Sequence, residues 1–115
     1  MTYEMKLREA PFLAIKEGRK DIELRLYDEK RKKLAVGDTV IFTCTESGER
    51  LYAAVKALHP FPDFSAIYAA FSKERFGYGE NETADPCDML AYYPEEEIRR
   101  YGVLGIEIVL QSTSD

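Results

Sequence analysis

Lys20, Glu23 and Arg25 place an ammonium, a carboxylate and a guanidinium in one short stretch of the chain. From Asp21 to Tyr27 polar and apolar residues alternate, so Ile22, Leu24 and Leu26 point one way and Asp21, Glu23, Arg25 and Tyr27 the other. A period of two is the mark of a half-buried strand, and neighbours on one face are separated by roughly 7 Å. Lys20 falls at the turn that leads into this strand. Such a trio can hold an anionic or carbonyl-bearing ligand on its two cations. The glutamate can accept hydrogen bonds from base or sugar donors, or act as a general base. The same Glu and Arg can equally form a solvated cross-strand ion pair worth under about 1 kcal/mol. Tyr27 shares their face. A base stacked on it would gain about 1–3 kcal/mol, but a tyrosine there can also simply pack inside the fold.

Other chemistries find little support. His59 is the single histidine, and Cys44 and Cys87 lie far apart. A structural zinc site needs four ligands, usually in paired spacing, so no metal is expected. No glycine-rich phosphate loop and no Gly-x-Ser-x-Gly elbow is present, and no cofactor is expected. His59 precedes a proline and reads as structural or exposed. The two cysteines read as free thiols in a reducing cytoplasm, which is the expected location. No apolar run approaches a membrane span, and the N-terminus has no secretory apolar region. The formal net charge of −5 disfavours avid, non-specific nucleic-acid binding, while leaving room for a local basic site.

The elements that must position the trio follow from periodicity. Residues 2 to 8 alternate and predict a first strand. Glu9-Ala10-Pro11 opens a short helix with Phe12, Leu13 and Ile15 on its buried stripe and Gly18 as its cap. After the strand at 21–27, the charge run Asp28–Lys33 reads as a solvated turn or single helical turn, or as a cationic rim for phosphates. Thr39–Thr45 and Leu51–Leu58 predict an antiparallel hairpin, with His59-Pro60-Phe61-Pro62 breaking the pattern after it. Asp63 caps a helix with Phe64, Ile67, Tyr68 and Phe71 on one stripe. Gly77–Thr83 reads as a mobile surface loop, Asp85-Pro86 as a further helix start with Met89, Leu90 and Tyr93 facing inward, and Pro94–Gly102 as a last short helix. Val103–Leu110 is the final strand, and Gln111–Asp115 a frayed tail. With 115 residues and no repeat or linker, the chain reads as a single domain, 1–115. Five strands with helices inserted define an α+β fold, a mixed sheet curled towards a barrel.

Gly18-x-Lys20-x-x-Glu23-x-Arg25, followed by Val36-Gly37-Asp38-Thr39-Val40-Ile41-Phe42, resembles the ASCH domain (activating signal cointegrator homology), a small relative of the PUA RNA-binding fold. The resemblance covers almost the whole chain. It implies a PUA-like five-stranded mixed β-barrel decorated by short helices, with the middle of the 63–101 excursion flanking the barrel mouth. It implies that Lys20, Glu23 and Arg25 line a cleft beside the barrel that takes RNA or a small nucleoside-like ligand. Asp28, just after the strand, is their neighbour. Some relatives are enzymes. One bacterial branch hydrolyses N4-acetylcytidine with a lysine, a threonine nucleophile and a glutamate. Lys20 fits that lysine, but the threonine position is Glu23, and a carboxylate cannot replace a hydroxyl in acyl transfer without a changed mechanism. Glu74 or Glu82 are candidates for the third member. Ribonuclease activity occurs in other members of the class. Three readings therefore stand: a binding module, a small hydrolase acting on a nucleoside or RNA, and a scaffold whose charged cleft is only structural.

Overall fold

In the computed structural model, which describes residues 1–111, the elements run β1 (Thr2–Leu7), α1 (Glu9–Lys16), β2 (Ile22–Leu26), β3 (Thr39–Cys44), β4 (Arg50–Phe61), α2 (Phe64–Ala70), α3 (Glu95–Tyr101) and β5 (Val103–Leu110). Short 3₁₀ turns occupy Arg31–Lys33, Lys73–Phe76 and Pro86–Ala91. The five strands form one mixed sheet in the order β1-β3-β4-β5-β2. β1 runs parallel to β3, and the remaining neighbours are antiparallel. The sheet curls into a half-barrel, which brings its two edge strands, β1 and β2, towards each other. Arg25 spans the gap: its Nη2 donates to the Lys6 carbonyl at 3.0 Å.

Two apolar clusters hold the curl. The larger joins Met5, Leu7, Val40, Phe42, Val55, Leu104, Ile106 and Ile108 of the sheet to Phe12 and Ile15 of α1. The second joins Ile22, Leu24 and Leu26 of β2 to Phe64, Ile67, Phe76 and Ile98 on the elements of the long β4–β5 excursion. The alternation in β2 therefore does orient Ile22, Leu24 and Leu26 together, but its opposite face is not wet. Glu23 is buried, and β2 is covered on both sides.

β4 departs from expectation. It continues through His59 and Pro60 to Phe61 instead of ending at Leu58. The register breaks between Val55 and Ala57, and such a bulge bends and twists a strand. Its first half pairs with β3 and its second half only with β5. Pro60 lies where β4 has a single partner, so its missing N–H removes no ladder bond on the open side. His59 is held structurally, its Nε2 2.9 Å from Glu107 Oε1 and its ring 4.9 Å from that of Phe71.

Asp63 caps α2 as expected, accepting from the Ala66 N–H at 2.8 Å. Asp85 accepts from the Cys87 N–H, but Pro86–Ala91 forms a 3₁₀ turn, not an α-helix. Met89 and Tyr93 pack against the second cluster, whereas Leu90 is exposed. Gly77–Thr83 is pinned instead of free: Lys73 Nζ donates to the carbonyls of Glu80 and Glu82, and the Tyr78 hydroxyl donates to Asp88. Cys44 is buried and Cys87 exposed, both as free thiols. Gln111 is tied to the sheet through its N–H to the Tyr52 carbonyl. The rest of the expected frayed tail, 112–115, lies outside the described residues.

Candidate functional site

Lys20, Glu23 and Arg25 meet. Glu23 accepts from Lys20 Nζ through Oε1 at 2.8 Å, and from Arg25 Nε through Oε2 at 2.8 Å, with Arg25 Nη2 also 2.8 Å from Oε2. Glu23 and Lys20 are 4% and 8% exposed, so this is a buried charge group and not a solvated surface pair. Local sequence explains how it forms. α1 ends after Lys16, and the N–H groups of Arg19 and Lys20 both close onto the Ala14 carbonyl, turning the chain back under the helix. Lys20 thereby enters β2 beside Glu23. Gly77, in the left-handed region at φ +102°, comes up against the lysine stem: a Cβ there would lie 3.3 Å from Lys20 Cδ.

Burial by itself would push the Glu23 carboxyl up. The Lys20 ammonium and Arg25 guanidinium outweigh it and hold the carboxyl below the usual glutamate range. Burial weakens the charged form of Arg25, and Glu23 more than restores it, with the Tyr93 phenol adding in the same direction. Burial also raises the Tyr93 phenol, which stays protonated. Two cations share one carboxylate, so the buried group keeps one positive charge in excess.

This group forms part of the lining of a cavity of about 680 Å³ in the seam between the two edge strands. One wall comes from the end of β1, α1 and β2. The other comes from the excursion, with Tyr68, Phe76, Gly77, Tyr78, Asp88, Met89 and Ala91–Tyr93 contributing. The Tyr68 and Tyr78 hydroxyls are 3.0 Å apart, and Tyr78 donates to Asp88 Oδ2 at 2.7 Å. Burial raises both phenols above their ordinary value, so they act as neutral hydrogen-bonding groups. Tyr92 is 63% exposed and forms part of the lining. The size and the mixture of apolar and polar walls suit a small organic ligand.

Two of the expected site residues stand elsewhere. Tyr27 does share the Glu23–Arg25 face, but it packs against the larger core cluster, with Lys32 Nζ 5.6 Å from its ring centroid. Asp28 accepts from Arg31, through the N–H at 3.1 Å and Nη1 at 2.9 Å, and so fixes the charge run as a 3₁₀ turn. Neither lines the cavity. Among the carboxylates considered for a third catalytic position, Glu82 lines it and Glu74 does not. The lining residues Lys6, Arg8, Arg19, Tyr68 and Asp88 were not singled out from the sequence as site residues. No local motif marks them, because they converge only when the sheet curls. Among the described residues, no group of three or more His, Cys, Asp or Glu side chains is placed to hold a metal ion. Among the same residues, no helix is long and apolar enough to cross a membrane.

A curled mixed sheet with a polar cleft between its edges and helices around its mouth is the architecture of a PUA-like fold. The family model of the ASCH domain matches residues 5–111, nearly the whole chain, and the chain belongs to that family. Two solved structures are similar to it throughout. The crystal structure of hypothetical protein PH0355 is 34% identical, with a TM-score of 0.83, over 96% of this chain and 100% of the other. The solution NMR structure of protein PF0455 from Pyrococcus furiosus is also 34% identical, with a TM-score of 0.76, over 97% of this chain and 99% of the other. No curated protein matches the chain.

Proposed function

We propose that this ASCH domain is a binding module that takes RNA or a modified, nucleoside-like ligand in the seam cavity. The observation that carries this reading is the buried Lys20–Glu23–Arg25 group in the wall of a cavity large enough for a nucleoside. Lys20 offers N–H donors beyond the one given to Glu23, and an ammonium in a partly dry wall suits a phosphate or carbonyl oxygen. Glu23 acts as the element that fixes the direction of both cations. Tyr92 and Tyr93 offer aromatic faces for a base, a contact worth about 1–3 kcal/mol each. The alternative, a small hydrolase acting on a nucleoside or RNA, draws less support from this geometry. It needs a base near neutrality, and a carboxylate held low with both oxygens engaged is a poor one.

The test is a thermal-shift series of the wild type against nucleosides, N4-acetylcytidine, nucleotides and short structured RNAs, with Lys20→Ala measured beside it against its own ligand-free melting point. A ligand present at about 100 times its dissociation constant stabilises by about 2.7 kcal/mol. A shift in the wild type that disappears in Lys20→Ala is the expected result. No shift from any member of the series would overturn the proposal.

A further inference from the structure

The two walls of the cavity carry opposite charge. The β1–α1–β2 wall contributes five cations, Lys6, Arg8, Arg19, Lys20 and Arg25, against two carboxylates, Glu17 and Glu23. The excursion wall contributes two carboxylates, Glu82 and Asp88, and no cation. In a chain of net charge −5 this is a local separation of sign, and a concave site focuses such a field.

Each wall also has unspent hydrogen-bonding capacity. Lys20, buried, uses one donor on Glu23, and the group it belongs to has one positive charge that no carboxylate in it balances. A buried excess charge is costly unless an opposite charge comes to it. On the excursion wall, Asp88 Oδ2 is taken by the Tyr78 hydroxyl, while Oδ1 has no donor among the described residues. The hydroxyl pair Tyr68–Tyr78 backs this carboxylate and fixes its orientation. An ionised carboxylate only accepts, so it selects for ligand N–H or O–H groups.

We propose that the ligand is a nucleotide bound lengthwise between the walls, with its phosphate on Lys20 and the cationic wall and the amino edge of its base on Asp88. The inference rests on the binding function proposed above and narrows it from a nucleoside-like ligand to one with a charged phosphate and an amine-bearing base. Cytosine meets the second requirement through its 4-amino donor, whereas uracil presents an acceptor at the same place. The phosphate can belong to a free nucleotide or to an RNA strand, and the chemistry of the cationic wall is the same for both.

The experiment is isothermal titration of the full chain with cytidine, CMP, UMP, inorganic phosphate and a short cytidine-containing RNA at low salt. It is repeated with Lys20→Gln and with Asp88→Asn, which alters an exposed side chain and leaves the fold a safe reference. CMP is expected to bind at least tenfold more tightly than cytidine and more tightly than UMP. Lys20→Gln should remove the advantage over cytidine, and Asp88→Asn the preference over UMP. Affinity for CMP should also fall as salt rises. Displacement of CMP by the RNA would place the phosphate in a strand; CMP binding that the RNA does not displace would place it in a free nucleotide. Equal affinity for cytidine and CMP in the wild type would overturn the inference while leaving nucleoside binding standing. Inorganic phosphate binding as tightly as CMP would overturn the two-ended arrangement. Binding of none of the five would overturn both this inference and the proposed function.

Discussion

Replacing Glu23 with glutamine tests how the charge group is built. The substitution keeps size and shape but removes the one negative charge between a buried lysine and a half-buried arginine. Three close contacts of 2.8 Å converge on this carboxylate, and the side chain is almost fully buried. Breaking a buried ion pair by removing one partner typically costs about 3–5 kcal/mol, because the remaining charges stay desolvated. A pair on a wet strand face would cost under about 1 kcal/mol. The two cases separate cleanly in urea denaturation followed by far-UV circular dichroism. In a chain of this size the larger figure lowers the melting temperature by roughly 10–25 °C. The pH dependence carries independent information. The folded Glu23 carboxyl lies below its ordinary value of 4.5, because the two cations outweigh the effect of burial. Its contribution is therefore complete above that value and is lost as the pH falls through the lower folded pKa. The wild type should lose stability on acidification more steeply than Glu23→Gln over this range. A cost under about 1 kcal/mol, or parallel acid limbs for the two proteins, would refute the buried-group reasoning.

Two further substitutions probe the frame around the site. Gly105→Ala on β5 would place a Cβ 2.5 Å from Ile67 Cδ1 and 3.2 Å from Ile22 Cγ2, where α2 docks on the sheet. Overpacking of this kind costs about 1–3 kcal/mol, and equal stability of the two proteins in urea would show that α2 can shift freely. Asp63→Ala removes the side-chain acceptor for the Ala66 N–H and should cost about 1 kcal/mol; an unchanged urea midpoint would refute the cap.

Much of the frame was legible along the chain. Every strand that alternates was recognisable, because a half-buried strand must repeat with a period of two. The orientation of Ile22, Leu24 and Leu26 followed from that rule alone. So did the helix capped by Asp63, whose apolar stripe Phe64, Ile67 and Tyr68 packs on the second cluster. The trio Lys20, Glu23 and Arg25 was visible for a local reason, since its members lie on one turn and one strand. The end of β4 was misread because proline is usually incompatible with a ladder. Only the sheet order reveals that β4 has a single neighbour at Pro60.

Polar residues on a strand's second face look the same in sequence whether water or protein covers them. The residues that share the cavity wall with Glu23 come from α1, just before it in the chain, and from the excursion between β4 and β5, far beyond it. The same long-range closure decides that Tyr27, two positions beyond Arg25, belongs to the core and not to the cavity. It also brings Asp88, Tyr78 and Tyr68 into the lining of the same cavity as Lys20. Sequence by itself thus determined the elements, their faces and the chemical identity of the central charges, because these depend on near neighbours. The tertiary structure decided burial, the separation of charge between the cavity walls and the membership of the site, because each of these requires the two edges of a curled sheet to meet.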